Sequence, residues 1–94
     1  MERLSESAIQ ENLIGLNGWN LKDNGIEKSF VFKNFKEAFS AMTFIAMECE
    51  VENHHPEWSN VYNQLHIRFS THDAGGLTAL DFRLARVVEE IVTS

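Results

Sequence analysis

The sequence predicts an α+β sandwich: a four-stranded antiparallel sheet with three helices packed on one face, in the order α-β-β-α-β-β-α. Three observations predict it. Apolar residues recur at helical spacing in three segments, they alternate with polar residues in the segments between, and turn or cap signals stand at the joins.

The first helix is expected over residues 5–17. Ser5 is its N-cap, Leu4 and Ile9 form a hydrophobic staple, and Ile9, Leu13 and Leu16 share a face that Gly18 terminates. Trp19 and Leu21 then alternate with Asn20 and Lys22 before the tight-turn signal Asp23-Asn24-Gly25. In the next strand Ile26, Lys28, Phe30 and Phe32 point toward a core, with Glu27, Ser29, Val31 and Lys33 on the reverse.

Asn34, with Glu37 three residues on, opens the second helix as a capping box. Its main apolar stripe is Phe35, Ala38, Phe39, Met42, Ile45, Ala46 and Cys49. At about 100° per residue, Phe44, Met47 and Val51 fall on the opposite side, and a small domain has too little protein to cover both faces. The second patch is therefore expected to be a subunit interface. A short extended piece near residues 58–61 precedes a strand over residues 64–70, with Leu65, Ile67 and Phe69 inward and His66, Arg68 and Ser70 outward. After the loop Ala74-Gly75-Gly76, Thr78 caps the third helix with Asp81 at its third position, and Leu80, Leu84, Val87, Val88 and Ile91 form its stripe.

Composition narrows the function. The 94 residues are 44% hydrophobic and 23% charged, which suits one domain spanning residues 1–94 that buries a single core. The net charge of −6 offers no basic face for phosphates, so neither direct nucleic-acid binding nor an anionic membrane surface is expected. No apolar run is long enough to span a bilayer, and the first residues lack the layout of a signal peptide. The lone Cys49 lies in an apolar helical pattern and reads as a buried thiol; together these features suit a reducing cytoplasm.

His54, His55 and His72 stand where regular elements end, which is where rigid scaffolds carry functional groups. Imidazole exchanges protons near neutral pH. A helix-capping role is the plain alternative for a histidine at the end of the second helix, whereas His66, mid-strand beside Arg68, reads as a sheet-surface residue. Adjacent histidines diverge and no cysteine pair exists, so a zinc site has weak support. There is no nucleophile elbow, phosphate loop or dinucleotide fingerprint, which leaves proton transfer by histidine and carboxylate. Trp58 can stack on a flat ring; Tyr62 reads as core or sheet packing.

Spacing then becomes specific. Glu50, His54-His55-Pro56, Tyr62, His72 and Asp81 stand at fixed intervals, and the runs ENHHPEWSNVYNQLHI and STHDAGGLTALDF resemble the pterin-4a-carbinolamine dehydratase family almost position by position. The resemblance covers nearly the whole chain, including the FKNFKEAFSAM segment. It implies dehydration of 4a-hydroxytetrahydrobiopterin to quinonoid dihydrobiopterin, which recycles the cofactor of aromatic amino acid hydroxylases, with no metal or redox cofactor. In that reading His54 and His55 are the principal acid–base pair and His72 completes the pocket. Glu50 and Asp81 orient the imidazoles, while Pro56, Trp58, Ser70 and Thr71 contact the pterin. The resemblance also implies a dimer or tetramer, and some vertebrate members bind a homeodomain transcription factor. A non-catalytic dimerisation or interaction module of the coactivator kind is the alternative, and a small metal-binding protein is a third.

Overall fold

The computed structural model describes residues 1–93. Three α-helices and four strands occur in the expected order: α1 (Glu6–Leu13), β1 (Asn20–Lys22), β2 (Gly25–Val31), α2 (Phe35–Glu52), β3 (Glu57–Val61), β4 (Gln64–Phe69) and α3 (Ala79–Thr93), with a 3-10 turn at His72–Ala74 before α3. The sheet order is β1-β2-β4-β3, antiparallel throughout. Two hairpins are thus joined through their β2 and β4 strands, with α2 as the crossover between them.

Local chemistry sets the boundaries. Ser5 caps α1 through its hydroxyl, which accepts from the Ala8 N–H, and Asn34 caps α2 by accepting from the Glu37 N–H. Helix α1 ends at Leu13, earlier than its periodicity suggested, because Gly15 turns left-handed at φ +87°. Leu16 still reaches the core, but from the turn rather than from the helix. Asp23 and Asn24, both at positive φ, form the two-residue turn between β1 and β2 that the sequence signalled.

Alternation decides which sheet face is covered. Ile26, Phe30, Leu65, Ile67 and Phe69 are buried under the helices. Lys28 lies in that inward row yet carries its ammonium out to Glu89, 2.7 Å away on α3, and the Trp19 indole N–H donates to the same carboxylate at 2.9 Å. Phe69 stacks on Trp19 with ring centroids 6.2 Å apart. Helix α3 contributes Phe82, Leu84, Ala85 and Val88 to the core; Phe82 and Ala85 extend the expected stripe, while Val87 is only half-buried.

Helix α2 departs most from expectation. Ala38, Ala41, Ile45 and Cys49 are buried, but Phe35, Phe39 and Ala46 are exposed. The last three lie at the margin of the buried face, beyond the reach of the sheet and α3. Phe44, Met47 and Val51 are exposed as expected. Tyr62 belongs to neither core nor sheet. It is 61% exposed in the β3–β4 turn, at φ +52°.

The open face of the sheet is polar and closely bonded. The Arg68 guanidinium donates to the Lys22 and Asp23 carbonyls, each at 2.6 Å, and to Glu27 and Glu57 at 3.1 and 3.2 Å. A Cβ at Gly25 would fall 2.6 Å from Arg68 Nη2 and 2.7 Å from Nη1, so any side chain here must push the guanidinium off some of these four bonds. Gly25→Ala should destabilise the fold by about 1–3 kcal/mol. In a denaturation cycle with Arg68→Ala, much of that loss should vanish, because the obstructing guanidinium is gone.

Candidate active site

The site begins where α2 stops. Asn53 adopts the left-handed conformation at φ +52°, and its N–H donates back to Cys49 and Glu50 carbonyls. The His54 N–H follows, donating to the Cys49 carbonyl at 3.0 Å. This C-terminal closure turns the chain sharply and sends the His54 ring toward Phe69 and the start of α3. The asparagine carries no catalytic signal of its own in the sequence.

His54 is well placed. Its ring lies nearly parallel to Phe69, centroids 6.3 Å apart, and its Nε2 is 2.6 Å from Asp81 Oδ1. Asp81 is completely buried in the first turn of α3. Its other oxygen, Oδ2, accepts from the Thr78 N–H at 2.9 Å and from the Thr71 hydroxyl at 2.8 Å. A buried carboxylate needs such donors, and every one of its contacts here is charge-assisted. Asp81 thus caps the first turn of α3 through one oxygen and partners an imidazole through the other.

His55 turns the other way. Its Nε2 meets Glu50 Oε1 at 2.9 Å, and both side chains are largely exposed. The residue before Pro56 is biased to extended backbone, which sends His54 and His55 to opposite sides before β3 begins. Glu50 and Asp81 thus each hold one histidine.

His72 enters from the far end of β4. The bonds Thr71 N–H to Gly76 carbonyl, 3.1 Å, and Gly75 N–H to His72 carbonyl, 2.9 Å, close a tight loop around it. Its side chain is exposed and lines a cleft of about 340 Å³ with Ser70, Thr71, Asn24, Glu57 and Arg68. A larger groove of about 980 Å³ lies between Arg3–Ile9 and the β1–β2 turn, and it contains none of the histidines. The structure therefore brings His54, Asp81 and Thr71 into direct bonding and places Ser70, Thr71 and His72 on one cleft. Pro56 and Trp58 are half-buried at the start of β3, beside the β4 end that carries Ser70. His66 stays on the open sheet face, as expected, with its Nδ1 2.8 Å from the Ser29 hydroxyl.

Among the described residues no group of three or more His, Cys, Asp or Glu side chains is arranged to hold a metal ion. No helix of the described residues is long and apolar enough to cross a membrane. Cys49 is buried next to this region, and burial, followed by the charge of Glu48, pushes its thiol up to about 11. Since the thiolate is the reactive form, Cys49 should be alkylated by iodoacetamide at pH 8 roughly 100-fold more slowly than in the unfolded chain. The rate should climb as the pH approaches the raised value; equal rates in folded and unfolded protein would contradict this burial.

Residues 2–91 match the family described as pterin 4 alpha carbinolamine dehydratase. A protein of Christiangramia forsetii that carries this dehydratase name provisionally is 53% identical over 94 residues, covering 100% of this chain and 97% of its own. One of Rhizobium johnstonii, named in the same way, is 52% identical over 92 residues, covering 96% of this chain and 91% of its own. The fold is similar to the crystal structure of a transcriptional coactivator/pterin dehydratase from Brucella melitensis, with a TM-score of 0.93 at 41% identity over 97% of this chain and 99% of that one.

Proposed function

The chain belongs to the pterin 4 alpha carbinolamine dehydratase family, and from that membership we propose that it removes water from 4a-hydroxytetrahydrobiopterin to give quinonoid dihydrobiopterin. The observation that carries this reading is His54, bonded at 2.6 Å to a fully buried carboxylate and linked through Thr71 to the cleft that His72 lines. An imidazole held by a carboxylate is a general acid or base with a fixed direction.

The chemistry asks for little else. Hydroxide is a poor leaving group at C4a until its oxygen is protonated, and the N5 lone pair expels it as N5 loses its proton. One group donates a proton to the departing oxygen and another accepts the N5 proton, so the C4a–O bond breaks, water leaves and the protein's proton count is restored. His54 is the group held most firmly for one of these transfers. His72, exposed in the cleft, faces the ring from the β4 side, and His55 with Glu50 forms a more solvated pair at the rim. Ser70 lines the same cleft as His72, and the family resemblance assigns Pro56 and Trp58, half-buried at the start of β3, to the pterin as well. In this reading the protein serves tetrahydrobiopterin recycling in the cytoplasm, supplying the cofactor of an aromatic amino acid hydroxylase.

The exposed face of α2 supports assembly. Phe44 is 57%, Met47 52% and Val51 78% exposed on this face, and Phe35 and Phe39 are exposed on the flank beside the buried stripe. We assign this face to a dimer or tetramer of the chain. It also favours one second reading, a non-catalytic interaction module of the coactivator kind, which would depend on this face and not on the histidines.

Stopped-flow measurement of carbinolamine dehydration separates the two. The wild type should accelerate the reaction over buffer, and His54→Ala and His72→Ala should each slow it about 10²–10⁴-fold. Phe44→Glu should lower the mass seen by light scattering while leaving the His54 site intact. No acceleration by the wild type would sink the enzyme reading. Full activity in both alanine variants would remove only the roles given to these histidines.

A further inference from the structure

The bonds around Asp81 fix where each hydroxyl proton lies. Thr71 Oγ1 is 2.8 Å from Asp81 Oδ2 and 3.0 Å from Thr78 Oγ1. A hydroxyl has one hydrogen, and Asp81 Oδ2, which already receives the Thr78 N–H, is an acceptor. The Thr71 hydrogen therefore goes to Asp81, and the bond between the two threonines runs from Thr78 to Thr71. Thr78 is fully buried, so its hydroxyl has no solvent to turn to and its direction is fixed.

The chain continues to the imidazole. With Oδ2 occupied by two donors, Oδ1 is left facing His54 Nε2 at 2.6 Å, and a carboxylate there demands an N–H on Nε2. In the neutral ring that leaves Nδ1 without a proton. We propose that the Thr78 and Thr71 hydroxyls are positioning groups, a two-member donor chain that fixes the Asp81 carboxylate and thereby holds His54 as its Nε2–H tautomer, with Nδ1 as the proton-exchanging atom. The inference rests on the proposed dehydration only for its kinetic consequence; the tautomer exists without substrate. It also moves Thr71 from a substrate contact to a residue acting through Asp81.

The test combines two readouts on the full chain. Long-range ¹H–¹⁵N spectra of the substrate-free protein, with His54 assigned through His54→Gln and the ring neutral, should show the Nε2–H signature in the wild type. Thr71→Val should let the Asp81 carboxylate swing away from Nε2, which blurs that signature toward a mixture and lowers kcat about 2- to 10-fold with KM little changed. Thr78→Val should act in the same direction but less, and the double variant should be no worse than Thr71→Val, as members of one chain require. Thr78→Ser should restore wild-type behaviour in both readouts.

A wild-type ring protonated on Nδ1 would overturn the proposal. So would strictly additive valine effects, or a Thr71→Val variant that raises KM at constant kcat, which would make Thr71 a substrate contact. Thr71 is only half-buried, so Thr71→Val keeps the test open should Thr78→Val fail to fold. If the wild type does not dehydrate carbinolamine at all, the spectra still decide the tautomer, and only the functional reading is lost.

Discussion

One buried charge organises this protein. Asp81 has no exposed surface, and a carboxylate in that position is tolerable only when each oxygen is met by donors. The donors come from three separate segments: Thr78 at the start of α3, Thr71 just past β4, and His54 just past α2. Satisfying one side chain therefore fixes the start of α3 against the ends of α2 and β4, and the last two carry His54, His55 and His72. Folding requirement and site geometry are the same set of bonds.

The surrounding fold makes those bonds rigid. Phe69, fully buried, stacks with Trp19 and lies nearly parallel to the His54 ring, so the aromatic core continues directly into the site. The left-handed Asn53 closes α2 and starts the turn that delivers His54. On the open sheet face, Arg68 ties the β1–β2 turn to Glu27 and Glu57 and forms one wall of the His72 cleft. Each device is a local backbone or charge arrangement, and together they leave a small protein with a fixed polar centre at one end of its sheet.

Much of this was legible in the sequence. The element order follows from periodicity, and the Asn34 and Ser5 caps and the Asp23-Asn24 turn are short-range chemistry that composition encodes locally. The histidines are legible by type and by their places at element ends, and Asp81 through the family resemblance. What stayed hidden depends on approach in space. Nothing near Thr71 announces a partner ten residues away in Asp81, and nothing near Phe69 announces the His54 ring. Phe35, Phe39 and Ala46 show the opposite failure: helical spacing places them beside the buried face, but spacing cannot say how far the neighbouring layer extends. Their exposure enlarges the apolar surface on α2 and adds to the case for a second chain there.

The central claim is that Asp81 acts on the reaction through the proton it holds on His54, and a nearly isosteric change tests it most directly. In Asp81→Asn the amide oxygen can still accept from Thr78 and Thr71, while the amide nitrogen would face His54 Nε2 and donate to it, forcing the ring's proton onto Nδ1. Stopped-flow dehydration by a folded Asp81→Asn protein should then show kcat reduced by roughly 10²–10⁴-fold. Wild-type kcat in that variant would contradict the account.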